Sequence, residues 1–160
     1  APDAVEPAAR EAPQREYRQL AAVDVAGQTG AYSGERTLGV HAVVAGDGAV
    51  AAGNLLASAE VVAAMVTGFA EARGHVGGRL VAGLVAGLAA GGEEGPVRSA
   101  GLLVVHEVDW PVADLRVDWS DDPIGELAAL WRLWETQLDA YVARALDPAG
   151  APSYGVPGDP

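Results

Sequence analysis

Arg98 to Val108 reads RSAGLLVVHEV, and Asp114 to Trp119 reads DLRVDW. The first is a nearly continuous apolar run, the pattern of a strand covered on both faces. The second alternates strictly between polar and apolar residues and reads as its neighbour. Trp110-Pro111 falls in the turn between them. Asp122-Pro123 follows, with Asp suited to cap a helix and Pro to its first position. A long C-terminal helix is therefore expected from there to Asp147-Pro148.

Upstream, Arg18 to Val25 (RQLAAVDV) and Thr29 to Gly34 (TGAYSG) flank Ala26-Gly27, which predicts a β-hairpin. Ala49 to Leu55 (AVAAGNL) predicts another strand, preceded by the Gly46-Asp47-Gly48 turn. Ser58 is placed as an N-cap, followed by Val61, Val62, Met65, Val66 and Phe69 at helical spacing, with Gly74 ending the helix. A second helix is expected from about Gly78 to Ala90. The order β-β-β, α-α, β-β, α groups like elements in blocks, which suits a layered α+β fold better than a doubly wound sheet.

The chain has 160 residues, the size of one domain. Half of them are hydrophobic and 20% charged, so general disorder is excluded. There is no cysteine, which removes disulfides, thiolate nucleophiles and cysteine zinc sites. Ten basic residues against 22 acidic ones give a charge of −12 and leave too few cations to track phosphates, so no nucleic-acid partner is expected. The three histidines, His41, His75 and His106, have no metal-ligand spacing, and neither a metal nor a cofactor is expected. His106, at the end of the apolar strand, reads either as a base or, more commonly, as a histidine with a satisfied ring. Residues 1–14 are rich in Ala, Pro and Glu and read as a tail or linker. Residues 15–147 read as the folded domain. Residues 148–160, with four prolines and three glycines counted from Asp147, read as an irregular tail. The first residue is Ala, which reads as a chain processed, trimmed or cut from something longer. No signal peptide is visible, and a cytoplasmic location is expected.

Gly83, Gly87 and Gly91 recur in LVAGLVAGLAAG. The apolar run between Arg79 and Glu93 is shorter than the roughly 20 residues a bilayer needs, so the stripe reads as close packing and no membrane partner is expected. Asp114, Arg116 and Asp118 occupy one face of their strand. They are either a ligand-anchoring row or, preferred, a structural ion-pair ladder. Asn54 follows Gly53 between a strand and a helix start. Its amide either meets an oxyanion or carbonyl, or caps the turn. Arg98 and Ser99 open the apolar strand, where Ser99 reads as a pocket hydroxyl or a satisfied strand-end serine. In the last helix, Ile124, Leu127, Trp131, Trp134, Leu138, Tyr141 and Ala145 form a heptad seam, widened by Leu130, Leu133, Val142 and Leu146. Part of this breadth belongs on the sheet. The rest, with Trp131, Trp134, Leu138 and Tyr141 as anchors, reads equally as core or as a homo-oligomer interface.

Four segments in register resemble the bacterial family called domain of unknown function 1028. They are Arg18-Gln19-Leu20 through Asp24; Ala52-Gly53-Asn54-Leu55-Leu56-Ala57 with Val61-Val62 and Ala64-Met65; Ser99 through Val105; and Asp114 through Asp118 with Asp122-Pro123 and Glu126-Leu127. The resemblance covers about residues 15 to 140. It implies a fold similar to the N-terminal-nucleophile (Ntn) hydrolases, an αββα sandwich of two stacked sheets between helix layers, here only a part of one. It also implies an N-terminal portion, bearing a Thr, Ser or Cys nucleophile, ahead of the RQL segment, and Ala1 cannot attack anything. Several polar family positions differ. The family's Gln-Gly-Asn is Ala52-Gly53-Asn54, its Gly-Asp-Arg-Arg-Gly turn is Gly92-Glu93-Glu94-Gly95, and its Asp-His pair is Trp119-Ser120. Apolar positions keep a fold and polar ones carry chemistry. The chain is therefore expected to be a non-catalytic oligomerising or small-ligand-binding module. The alternative is the C-terminal part of an amide-bond hydrolase whose nucleophile lies in a missing N-terminal segment.

Overall fold

The computed structural model describes residues 1–156. Its strands pair as three antiparallel hairpins: β1 (Gln19–Val23) with β2 (Thr29–Ser33), β3 (Ala42–Gly46) with β4 (Ala49–Gly53), and β5 (Ala100–Val104) with β6 (Ala113–Val117). Helices α1 (Pro2–Glu11), α2 (Glu60–Glu71), α3 (Val76–Ala89), α4 (Pro123–Glu135) and α5 (Leu138–Leu146) complete an α+β fold. The first two hairpins lie against each other, β1 beside β4 and β2 beside β3. Helix α2 covers the second hairpin, α4 covers the third, and α3 touches both α2 and α4.

Several expectations are corrected. Residues 1–14, expected as a disordered tail or linker, are helical over most of their length, because α1 occupies Pro2–Glu11. Alanine is the best helix former, Pro2 sits at the helix start, and Arg10 pairs with Glu6 at 2.9 Å. Val5 and Ala9, four residues apart, are buried, and α1 packs on β2. Asp24 Oδ1 accepts from the Ala26 and Gln28 amides at 3.0 and 2.9 Å, which closes the turn between β1 and β2. Strand β3 is an addition, because only β4 is predicted from the sequence. Ser58 does not cap α2 with its side chain. Its hydroxyl donates to Glu60 Oε2 at 3.1 Å, and the helix opens at Glu60.

The long C-terminal helix is two helices. Asp122 caps α4 as expected, accepting from the Gly125 amide at 3.1 Å. At Thr136-Gln137 the helix breaks. Thr136 Oγ1 and Gln137 Nε2 both donate to the Leu133 carbonyl, at 3.0 and 3.2 Å, and the Gln137 amide bonds three residues back to Trp134. Side-chain donors on the ladder carbonyls tighten the turn, and α5 restarts with Leu138 buried in the core. Over 148–156 there is no helix or strand, and the last four residues of the expected tail lie outside the described residues.

Two apolar clusters result. One joins Val81 of α3 to Leu102, Val104, Val117, Leu127, Trp131 and Leu138. The other joins Ala51, Leu56, Val61 and Val62. The α2–α3 contact holds them together, and its glycines set the spacing. A Cβ on Gly68 would meet Ala86 Cβ at 2.6 Å and the Ala82 carbonyl at 3.0 Å. A Cβ on Gly83 would meet the Met65 carbonyl at 3.0 Å. Among the described residues no helix is long and apolar enough to cross a membrane.

The two N-terminal hairpins are stitched by one side chain. Gln19 Nε2 lies 3.0 Å from the Gly53 carbonyl, 3.3 Å from the Ala42 carbonyl and 3.2 Å from Ser33 Oγ. Ser33 Oγ in turn lies 3.0 Å from His41 Nδ1. Gln19→Ala is expected to cost about 1–3 kcal/mol, the range for leaving partly buried acceptors unpaired. Gln19→Glu is expected to cost more, because a carboxylate would face two carbonyls. Urea midpoints at neutral pH check both, and a Glu variant as stable as wild type would refute the stitch. Gly68→Ala gains about 1 kcal/mol of helix propensity but forces a backbone contact worth about 1–3 kcal/mol. The expected net result is a Tm lowered by a few degrees. A raised Tm would show that α2 and α3 separate freely.

Candidate functional site

β4 ends at Gly53, and the chain turns through Asn54, Leu55 and Leu56 before α2. Leu55 has a φ of 50°, a left-handed conformation that costs a residue with a side chain about 1–2 kcal/mol. Three bonds hold it there. The Leu55 amide donates to the Leu38 carbonyl at 3.0 Å, the Glu94 amide donates to the Leu55 carbonyl at 2.8 Å, and the Leu56 amide donates to the Val40 carbonyl at 3.0 Å. Gln19, from the stitch above, fixes the Gly53 carbonyl on the other side. The backbone on both sides of Asn54 is thus pinned, and the Asn54 side chain is exposed and makes no hydrogen bond among the described residues.

That turn forms one wall of a cleft of about 370 Å³. Ser99, just ahead of β5, also lines this cleft, exposed and with no hydrogen bond to its hydroxyl among the described residues. Gln19 and Glu93 complete the polar lining, and Val61, Met65 and Leu84 form an apolar floor. The Leu56–Glu93 bridge and the bond from the Ala57 amide to the Gly92 carbonyl, 3.0 Å, tie the loop after α3 to the Asn54 turn. Two of the sequence candidates, Asn54 and Ser99, are therefore brought together from distant parts of the chain.

The other candidates go elsewhere. Arg98 points away from its neighbour Ser99. It pairs with Asp121 and lies 5.7 Å from the Trp119 ring centroid. Asp114, Arg116 and Asp118 are all exposed on the solvent face of β6, and Arg116 Nε lies 3.7 Å from Asp118 Oδ1. So exposed a pair contributes little. Of the proposed interface anchors, Trp131 and Leu138 are buried in the chain's own core. Trp134 is half-buried and its Nε1 donates to the Val112 carbonyl at 3.0 Å. Tyr141 is 41% exposed, with its ring 5.1 Å from that of Trp134.

The histidines are dispersed. His75 caps α3, its Nδ1 accepting from the Gly77 amide at 3.1 Å, with its ring 5.0 Å from Trp131. His106 is exposed beyond the end of β5. His41 faces Ser33 at hydrogen-bond distance, the geometry of a nucleophile and its base. No described hydrogen bond or ion pair links His41 to a carboxylate, and the Ser33 hydroxyl already lies against Gln19. No described cluster of three or more His, Asp or Glu residues is placed to hold a metal ion. Gln19 is a cleft-lining residue that residue-by-residue reading passes over. Its signal is its place in the RQL run.

No curated protein matches the chain. A crystal structure of a protein from Silicibacter pomeroyi, itself assigned to the DUF1028 family, superimposes with a TM-score of 0.73 at 34% sequence identity. The match covers 82% of this chain and 58% of that one, so the chain spans little more than half the length of the solved relative. Residues 1–127 match the family of unknown function DUF1028, and the chain belongs to that family.

Proposed function

We propose that this chain is a small-ligand-binding part of its family protein, non-catalytic by itself, which takes an amide-bearing molecule into the cleft between Asn54 and Ser99. One observation carries the reading: two polar side chains without partners among the described residues line one cleft, and one of them, Asn54, adjoins Leu55, whose backbone is held in a left-handed conformation. Strain of this kind gathers at ligand clamps and active sites. A carboxamide offers donors and an acceptor side by side, which complement the donor and acceptor of an amide ligand. The Ser99 hydroxyl adds a group of either polarity, and Val61, Met65 and Leu84 suit an apolar side chain on the ligand. The ligand class is therefore a small amide with one apolar substituent. Gln19 acts here as a positioning residue, holding the Gly53 carbonyl and so the peptide that carries Asn54.

A second reading has one observation in its favour. An amide donor beside a hydroxyl also suits a carbonyl developing negative charge. In that reading the full-length family protein cleaves an amide bond with a nucleophile from outside these residues. The Ntn-like sandwich implied by the resemblance belongs with it.

Titration with N-acetyl-leucinamide, followed by amide NMR shifts and by chromatography for cleavage products, separates the two. Binding without cleavage is expected, with perturbed amides at Gly53–Leu56 and Ser99. Asn54→Ala and Ser99→Ala are each expected to weaken binding about tenfold, the loss of one good hydrogen bond. Asp114→Ala is expected to leave binding unchanged. Cleavage by this chain would overturn the non-catalytic reading, and binding indifferent to both cleft variants would overturn the site.

A further inference from the structure

Helix α3 ends at Ala89, and the two glycines that follow, Gly91 and Gly92, have φ of 119° and 62°. Side-chain-bearing residues rarely adopt such values, and the turn they make brings Glu93 opposite Leu56 in a bridge. Bonds from the Ala57 amide to the Gly92 carbonyl and from the Glu94 amide to the Leu55 carbonyl hold this bridge from both sides. Glu93 is thereby fixed to the turn that carries Asn54. It is the one charged residue lining the polar cleft among the described residues. It also lines an adjoining hollow of about 250 Å³, which shares Leu88, Val97 and Ile124 with the cleft. Two further carboxylates line that hollow, and both are committed. Asp121 pairs with Arg98, and Asp122 caps α4 through the Gly125 amide. The Glu93 side chain has neither a hydrogen bond nor an ion pair among the described residues.

We infer that Glu93 selects ligands by charge at this cleft, so that the amide-bearing molecule also carries a protonated amine, held at the Glu93 end where cleft and hollow meet. The inference rests on the amide reading above and deepens it: the ligand class becomes an α-amino amide with one apolar side chain. An anionic ligand meets three carboxylates there and one arginine, already paired with Asp121. A neutral ligand leaves Glu93 without a counter-ion. The charge of −12 adds a field of the same sign over the whole surface, which draws cations and repels anions. Glu93 is exposed, so the pair contributes modestly to affinity, and its effect is to discriminate between ligands.

Three probes that share one apolar group test this on the whole chain. Leucinamide carries both amide and amine, N-acetyl-leucinamide the amide alone, and isoamylamine the amine alone. Each is titrated and followed by amide NMR shifts at about pH 6.5, below the ordinary α-amino pKa of about 8, so that the amines are charged. Leucinamide is expected to bind about fivefold more tightly than N-acetyl-leucinamide, the upper end for an exposed ion pair. Salt at about 1 M, where the Debye length is about 3 Å, is expected to shrink that preference. Glu93→Gln is expected to abolish it and to leave N-acetyl-leucinamide binding unchanged. Glu94→Gln removes the same charge one residue away, outside the cleft lining, and is expected to leave the preference intact, which separates a contact from the field of the whole molecule. Both positions are exposed, so the fold tolerates either change, and unchanged circular dichroism spectra confirm that. Equal binding of the two amides, or a preference that survives Glu93→Gln, overturns the inference and leaves the amide reading standing. Isoamylamine binding as tightly as leucinamide, with shifts at Gly92–Glu94 that Glu93→Gln removes, overturns the amide reading while the selection for charge holds. If none of the three binds, both fall.

Discussion

The close approach of α2 and α3 is the constraint on which the rest of the molecule depends. The two apolar clusters share no buried residue. What joins them is α3, which contributes Val81 to one cluster and lays Gly83 and Gly87 against Met65 of α2, whose neighbours belong to the other. At Gly83 an added methyl would meet the Met65 carbonyl, and at Gly68 the Ala86 Cβ and then the Ala82 carbonyl, none of them a flexible side-chain end. The distance between the helices is therefore fixed by the absence of side chains, and glycine's unfavourable helix propensity is offset by the packing that absence allows. The same approach sets Asn54 and Ser99 apart by the width of one cleft, since the Asn54 turn leads into α2 while Ser99 follows the loop that leaves α3.

Much of this fold is legible in the sequence because the signals are local. The glycine repeat in LVAGLVAGLAAG announces close packing, and Asp122-Pro123 announces a helix start. The errors arise where tertiary contact decides. Residues 2–11 lack large apolar groups, and composition makes them a tail, yet Val5 and Ala9 suffice to seat an alanine-rich helix on β2. β3 matches β4 in length and shares the Asp47-Gly48 turn with it, and the register from Ala42↔Gly53 to Gly46↔Ala49 is what identifies it as the mate of β4. The heptad seam runs unbroken through Thr136-Gln137, and periodicity cannot show that two side-chain donors there claim the Leu133 carbonyl.

The site is half legible for a similar reason. Asn54 and Ser99 are visible as polar residues at element ends, where such residues often act. That they share a cleft while Arg98, Asp114 and Arg116 do not is a matter of which way each strand faces. Arg98 is drawn instead to Asp121 and the Trp119 ring, while its neighbour Ser99 lines the cleft. Gln19 is harder to find. A glutamine in a strand has no motif of its own, and its importance lies in three acceptors that come from three other segments.

The pattern of β5 connects sequence and structure most tightly, because there the two disagree. On β6 the alternation is obeyed, with Ala113 and Val117 buried and Asp114 and Arg116 in solvent. On β5 the positions facing the same way as Asp114 and Arg116 are Leu103 and Gly101, their cross-strand partners. One face of a single hairpin is thus polar on its outer strand and apolar on its inner one. A face meant for water throughout would carry polar residues on both strands, and a face meant for burial throughout would carry them on neither. The boundary falls between the two strands of the hairpin, with Gly101 and Leu103 on the apolar side and Arg116 and Asp114 on the polar side.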